Sequence, residues 1–123
     1  LIVEDDEITR DMLTKSLETN DFKVVLAKNG KEALERVTKA KPALILLDLM
    51  MPEMDGFEFA ERLREKKEWL DIPVVVITAK DLTKEDHTRL KGNVEAIMQK
   101  GSYNKDELLS EVANRIKNIK EKG

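Results

Sequence analysis

The chain has no cysteine, which excludes a disulfide scaffold, thiolate zinc and thiol catalysis. It has no apolar run near the about 20 residues that a membrane span needs, and no signal-peptide pattern. It has no excess of positive charge: the net charge is −3, so no global basic field recruits nucleic acid. Internal repeats and low-complexity tracts are absent too. There is no initiator methionine; Leu1 stands inside an apparent strand, which leads us to expect a trimmed piece of a longer chain. What is present is 123 residues, 41% of them apolar, which suggests one domain with one packed core. A disulfide-free, acidic α/β pattern fits the cytoplasm.

Apolar runs alternate with helical spacings along the chain. Leu1–Val3 reads as the end of a first strand, and Ile8, Met12, Leu13 and Leu17 have helical spacing. Phe22–Ala27 reads as a second strand. Asn29-Gly30-Lys31-Glu32 resembles a capping box that opens a helix through Ala33, Leu34 and Val37. Ala43–Leu47 is expected as strand three, Phe57–Arg64 as a helix, Val74–Ile77 as strand four and Ala96–Met98 as strand five. A short helix after Thr83 has Asp86 three residues on. Asn104 caps a final helix whose apolar stripe is Leu109, Val112, Ala113, Ile116 and Ile119. Strands three and four are uniformly apolar, as expected when helices cover both faces of a sheet. Five βα units with right-handed crossovers give a doubly wound parallel sheet.

The most informative run is Leu44-Ile45-Leu46-Leu47-Asp48, a buried strand that ends abruptly on a carboxylate. Pro52 and Gly56 break the chain beyond it. Open α/β sheets bind ligands outside the carboxyl ends of their strands. An Asp placed there can be a nucleophile, a metal ligand or both. The other strand ends add Glu4 and Asp5, Thr78 and Lys100. Three carboxylates converge at a cost unless a cation neutralises them. Oxygen ligands without His or Cys favour Mg²⁺ (or Mn²⁺). With Lys100 as a second cation and Thr78 as a donor, the set would grip a phosphoryl group and stabilise its transfer to Asp48.

Taken together, Val3-Glu4-Asp5-Asp6-Glu7, Asp48-Leu49-Met50-Met51-Pro52-Glu53-Met54-Asp55-Gly56, Val76-Ile77-Thr78-Ala79 and Lys100 resemble a response regulator receiver domain. The likeness covers residues 1–123. The intervals of 43, 30 and 22 residues between Asp5, Asp48, Thr78 and Lys100 fit as well. The resemblance implies a flavodoxin-like (βα)5 fold with strand order 2-1-3-4-5. It also implies that Asp48 accepts phosphate from the phosphohistidine of a sensor histidine kinase or a histidine phosphotransfer protein. Asp5 would bind Mg²⁺ directly and Glu4 through water, with the Met50 carbonyl as a further ligand. Thr78 and Lys100 would hold phosphoryl oxygens. A covalently linked kinase or output domain fits this picture; direct nucleic-acid binding and membrane insertion do not.

Plainer readings stand beside these. Asp48 alone is compatible with an N-cap or turn. The acidic run permits three registers for an adjacent metal-binding pair; Glu4 and Asp5 are preferred, because that leaves Val3 last in the strand. Asp6 and Glu7 then read as a helix start. His87, the sole histidine, reads as solvated surface rather than a phosphodonor, and Trp69 and the five methionines read as packing residues. Two features depart from the family pattern. Gly101 follows Lys100 where a proline in a cis bond is usual, and Ile97 stands where an aromatic is common. The segments from Ile77 to Thr83 and from Gln99 to Tyr103 look more like receivers attached to hybrid sensor kinases. A phosphorylation-independent docking module is the alternative function. A phosphatase turning over external substrates is disfavoured by Met50, because such enzymes often carry a second Asp at that position.

Overall fold

Val74, Val75, Val76, Ile77 and Thr78 form a strand buried along its whole length, because strands flank both its edges and helices cover both its faces. The computed structural model describes residues 1–19, 23–51, 54–78, 81–99, 107, 110, 111 and 114. Within them the strands are β1 (Ile2–Val3), β2 (Leu26–Ala27), β3 (Ile45–Leu47), β4 (Val74–Thr78) and β5 (Ala96–Gln99). All pair in parallel, in the order β2-β1-β3-β4-β5. Helices α1 (Glu7–Thr19), α2 (Gly30–Lys39), α3 (Gly56–Leu63) and α4 (Lys84–Leu90) form the crossovers. This is the expected doubly wound, flavodoxin-like sheet.

Side chains alternate between the two faces of a strand, and the core divides accordingly. Val3, Ile45, Leu47, Val74 and Val76 pack on one face with Phe57, Phe59 and Leu63 of α3 and with Ala33 and Val37 of α2. Ile2, Leu46, Val75 and Ile77 pack on the other with Leu13 and Leu17 of α1. Central strands therefore have no polar face, which is why β3 and β4 were readable as apolar runs.

Helix starts follow local chemistry. Asn29 accepts from the Glu32 N–H at 2.8 Å, and Asp55 accepts from the Glu58 N–H at 2.9 Å. Thr83 and Asp86 bond each other's backbone N–H in a full capping box. Trp69 is buried at the end of a short 3₁₀ turn, Lys67–Trp69.

Several expectations shift. Within the expected Phe22–Ala27, the β2 ladder covers Leu26–Ala27, paired with Ile2 and Val3 of β1; Phe22 lies outside the described residues. Strand β3 begins at Ile45 rather than Ala43, while β4 and β5 each run one residue further than expected. Ile8 is not part of the buried stripe of α1 but 79% exposed. At 100° per residue it sits about 180° around the helix from Leu17. Glu107, Ser110, Glu111 and Asn114 have helical backbone, in line with a final helix. Asn104 and the stripe from Leu109 to Ile119 lie outside the described residues. Among the described residues no helix is long and apolar enough to cross a membrane.

Candidate functional site

The parallel ladder brings the carboxyl ends of β1, β3 and β4 to one edge. The Asp48 N–H donates to the Val3 carbonyl at 2.9 Å, and the Glu4 N–H donates to the Ala27 carbonyl at 3.0 Å. Glu4 and Asp48, directly after their strands, are 3% and 5% exposed, and Thr78 at the end of β4 is fully buried. Asp5 is exposed. One carboxylate oxygen from each of Glu4, Asp5 and Asp48 lies within 4.8 Å of the other two. Asp6 is used differently. Its carboxylate accepts from the Thr9 N–H at 3.1 Å and from the Thr9 hydroxyl, capping α1. Of the three registers open in the acidic run, the chain thus brings Glu4 and Asp5 to Asp48.

The loop after Asp48 is held from several sides. The Met50 N–H reaches Asp48 Oδ1 at 3.3 Å, while the Met50 side chain is 56% exposed. The Gly56 N–H donates to the Leu49 carbonyl at 3.2 Å, and the Gly30 N–H donates to the Met54 carbonyl at 3.1 Å. A Cβ at Gly56 would lie 2.5 Å from the Asp48 carbonyl oxygen. The close approach of two backbone segments therefore requires glycine at the end of the motif.

Lys100 lies outside the described residues, as do Lys80, Gly101 and Tyr103. Gln99, the residue before Lys100, pairs with Thr78 across β4 and β5. Ile97 is half-buried against the core, and His87 is exposed. Sequence reasoning missed Arg10. Its guanidinium donates to the Glu4 carbonyl at 3.1 Å and to the Asp5 carbonyl at 3.5 Å. The available signal was a cation four residues after the helix cap Asp6, directly behind the acidic pair.

Three carboxylates so close repel one another unless a cation or protons intervene. The donor set is all oxygen, with two of its three members buried. That chemistry suits a hard divalent cation such as Mg²⁺, which keeps several waters, better than zinc.

Residues 1–113 match the response regulator receiver domain family. The response regulator MprA of Mycobacterium leprae (strain TN) is 35% identical over 98% of this chain and 51% of its own length. The chain spans about half the length of that curated relative. The N-terminal domain of a response regulator receiver protein from Methanoculleus marisnigri JR1 superposes with TM-score 0.74 at 32% identity, covering 93% of this chain and 91% of that one. The signal receiver domain of a signal transduction histidine kinase from Syntrophus aciditrophicus gives TM-score 0.81 at 27% identity, covering 96% and 86%.

Proposed function

We propose a function from one premise: the chain belongs to the response regulator receiver domain family. Residues 1–123 then form a phosphoacceptor domain of a two-component system. Asp48 takes a phosphoryl group from the phosphohistidine of a sensor histidine kinase or a histidine phosphotransfer protein. An Asp48 carboxylate oxygen forms a bond to phosphorus as the nitrogen–phosphorus bond breaks. The imidazole leaves, and an aspartyl phosphate remains. The observation that carries this reading is the meeting of the Glu4, Asp5 and Asp48 carboxylates within 4.8 Å at the carboxyl edge of the sheet.

Glu4, Asp5 and Asp48, with the Met50 carbonyl, would hold Mg²⁺ or Mn²⁺. When bound, the cation offsets negative charge as the phosphoryl group arrives. Thr78, at the end of β4, donates its hydroxyl to a phosphoryl oxygen, and Lys100 supplies a positive charge on the same group. Burial of Asp48 limits competing water. The domain is not a turnover enzyme; it promotes its own phosphorylation and loses the phosphate slowly. It works in the cytoplasm, linked in a longer chain to a kinase or an output domain, without contacting nucleic acid or lipid itself.

Incubation with Mg²⁺ and acetyl phosphate tests this. The expected result is a mass gain of one phosphoryl group, absent in Asp48→Asn and absent in excess chelator. No mass gain in the starting protein would favour a phosphorylation-independent docking module instead.

A further inference from the structure

We propose that Arg10 is a positioning residue for the cation site, fixing the direction in which Asp5 presents its carboxylate. This rests on the reading of Glu4, Asp5 and Asp48 as cation ligands. The Glu4 carbonyl belongs to the peptide plane before the Asp5 Cα, and the Asp5 carbonyl to the plane after it. Arg10 donates to both, at 3.1 and 3.5 Å. Peptide units are planar, so a donor on each of the two flanking carbonyls restrains the backbone dihedrals of Asp5 and with them the path of its Cβ. Asp5 is exposed, so no packing around it supplies that restraint. Its neighbours are anchored by other means. The Asp6 N–H bonds Glu4 Oε1 at 3.3 Å, and Asp6 caps α1. Arg10 springs from that same helix, its N–H bonded to the Asp6 carbonyl at 3.0 Å. The guanidinium thus spans from a rigid element to the one carboxylate ligand that lies on the surface. Both bonds come from one terminal nitrogen, Nη1, whose two N–H groups serve the two carbonyls; the planar guanidinium holds them in a fixed direction, which a freely rotating ammonium does less well.

Charge and positioning make opposite predictions, which makes the proposal testable. Arg10 is a cation behind a cation site. If charge alone mattered, removing it would tighten Mn²⁺ binding. If Arg10 positions Asp5, removing it weakens binding, by about tenfold as for residues that orient metal ligands elsewhere. The experiment is Mn²⁺ titration of the metal-free protein by calorimetry, with Arg10→Ala, Arg10→Gln and Arg10→Lys. Thermal unfolding without metal is measured alongside. The expected result is weaker binding in Ala and Gln at little-changed unfolding temperature, with Lys recovering part of the loss. Unchanged or tighter binding in Arg10→Gln would overturn the proposal, as would Lys behaving like Ala. If Arg10→Ala does not fold, Gln and Lys still decide. Asp5→Asn is the separate control on the underlying reading. Unaltered Mn²⁺ affinity in that variant would sink the cation site itself, whatever the Arg10 variants do.

Discussion

Replacing Gly56 by alanine places a methyl group where two backbone segments already touch. The added Cβ would stand 2.5 Å from the Asp48 carbonyl oxygen, 2.7 Å from Leu49 Cα and 3.0 Å from Leu49 Cδ2. Two of these atoms are main chain, so no side-chain rotation relieves the clash; the loop must move. Such overpacking costs about 1–3 kcal/mol. Alanine at a helix start recovers about 0.5–1 kcal/mol of that through lower unfolded-state entropy and better propensity. The net expectation in urea unfolding is a loss of up to about 2.5 kcal/mol. The functional effect should be larger than the stability effect, because the displaced carbonyl is that of Asp48 itself. A displacement near 1 Å can lower a transfer rate on the order of 100-fold. Gly92 provides the comparison. It has φ +82° and nothing within 4 Å of an added Cβ. Gly92→Ala should cost about 1–2 kcal/mol from left-handed backbone strain alone and leave phosphorylation unchanged. A normal phosphorylation rate in Gly56→Ala would refute the reasoning.

Three further outcomes follow. Arg64 donates to the carbonyls of Trp69, Leu70, Ile72 and Asn93 at 2.8, 3.3, 2.7 and 3.0 Å, tying the end of α3 to the approaches of β4 and β5. Arg64→Ala should therefore lower unfolding free energy by about 2–4 kcal/mol in urea, and Arg64→Lys should restore only part of it. A hydrogen bond from Lys41 at 2.7 Å holds the Asp71 carboxyl below its ordinary value. A depressed folded-state value gives stability that is present above the unfolded carboxylate range and lost as pH falls through the folded value. The pair is exposed, so the effect is small; NMR titration should find Asp71 titrating low, and rising towards normal in Lys41→Met. Finally, the Met50 side chain stands exposed beside Asp48 and offers water no strong hydrogen bond. The aspartyl phosphate should decay slowly, and faster in Met50→Asn; equal decay in the two would show that Met50 does not govern water access.

The sheet was legible because β3 and β4 are buried on both faces, so their apolar runs carry no ambiguity. Strand β2 was drawn longer than its ladder because a hydrophobic run does not report where pairing stops. Ile8 was drawn into the stripe of α1 because it stands four residues before Met12, yet it is nine residues, and so half a turn, away from Leu17. In the site, Glu4, Asp48 and Thr78 could be placed from strand ends alone. The strand ends also favoured Glu4 and Asp5 among the three registers of the acidic run; what they did not show is that Asp6 turns its carboxylate to Thr9. Arg10 and the requirement for Gly56 were hidden as well: both are contacts to main-chain carbonyls, and composition and periodicity record side chains only.

The central claim is that one carboxylate, at Asp48, takes the phosphoryl group. An aspartyl phosphate is reduced by borohydride to homoserine, which marks its position in the chain. Protein treated with Mg²⁺ and acetyl phosphate, then with borohydride, should yield a single modified peptide with homoserine at position 48. The mark should vanish when chelator is present. Homoserine at another acidic position with Asp48 intact, or the same yield at position 48 without a divalent cation, would contradict the account.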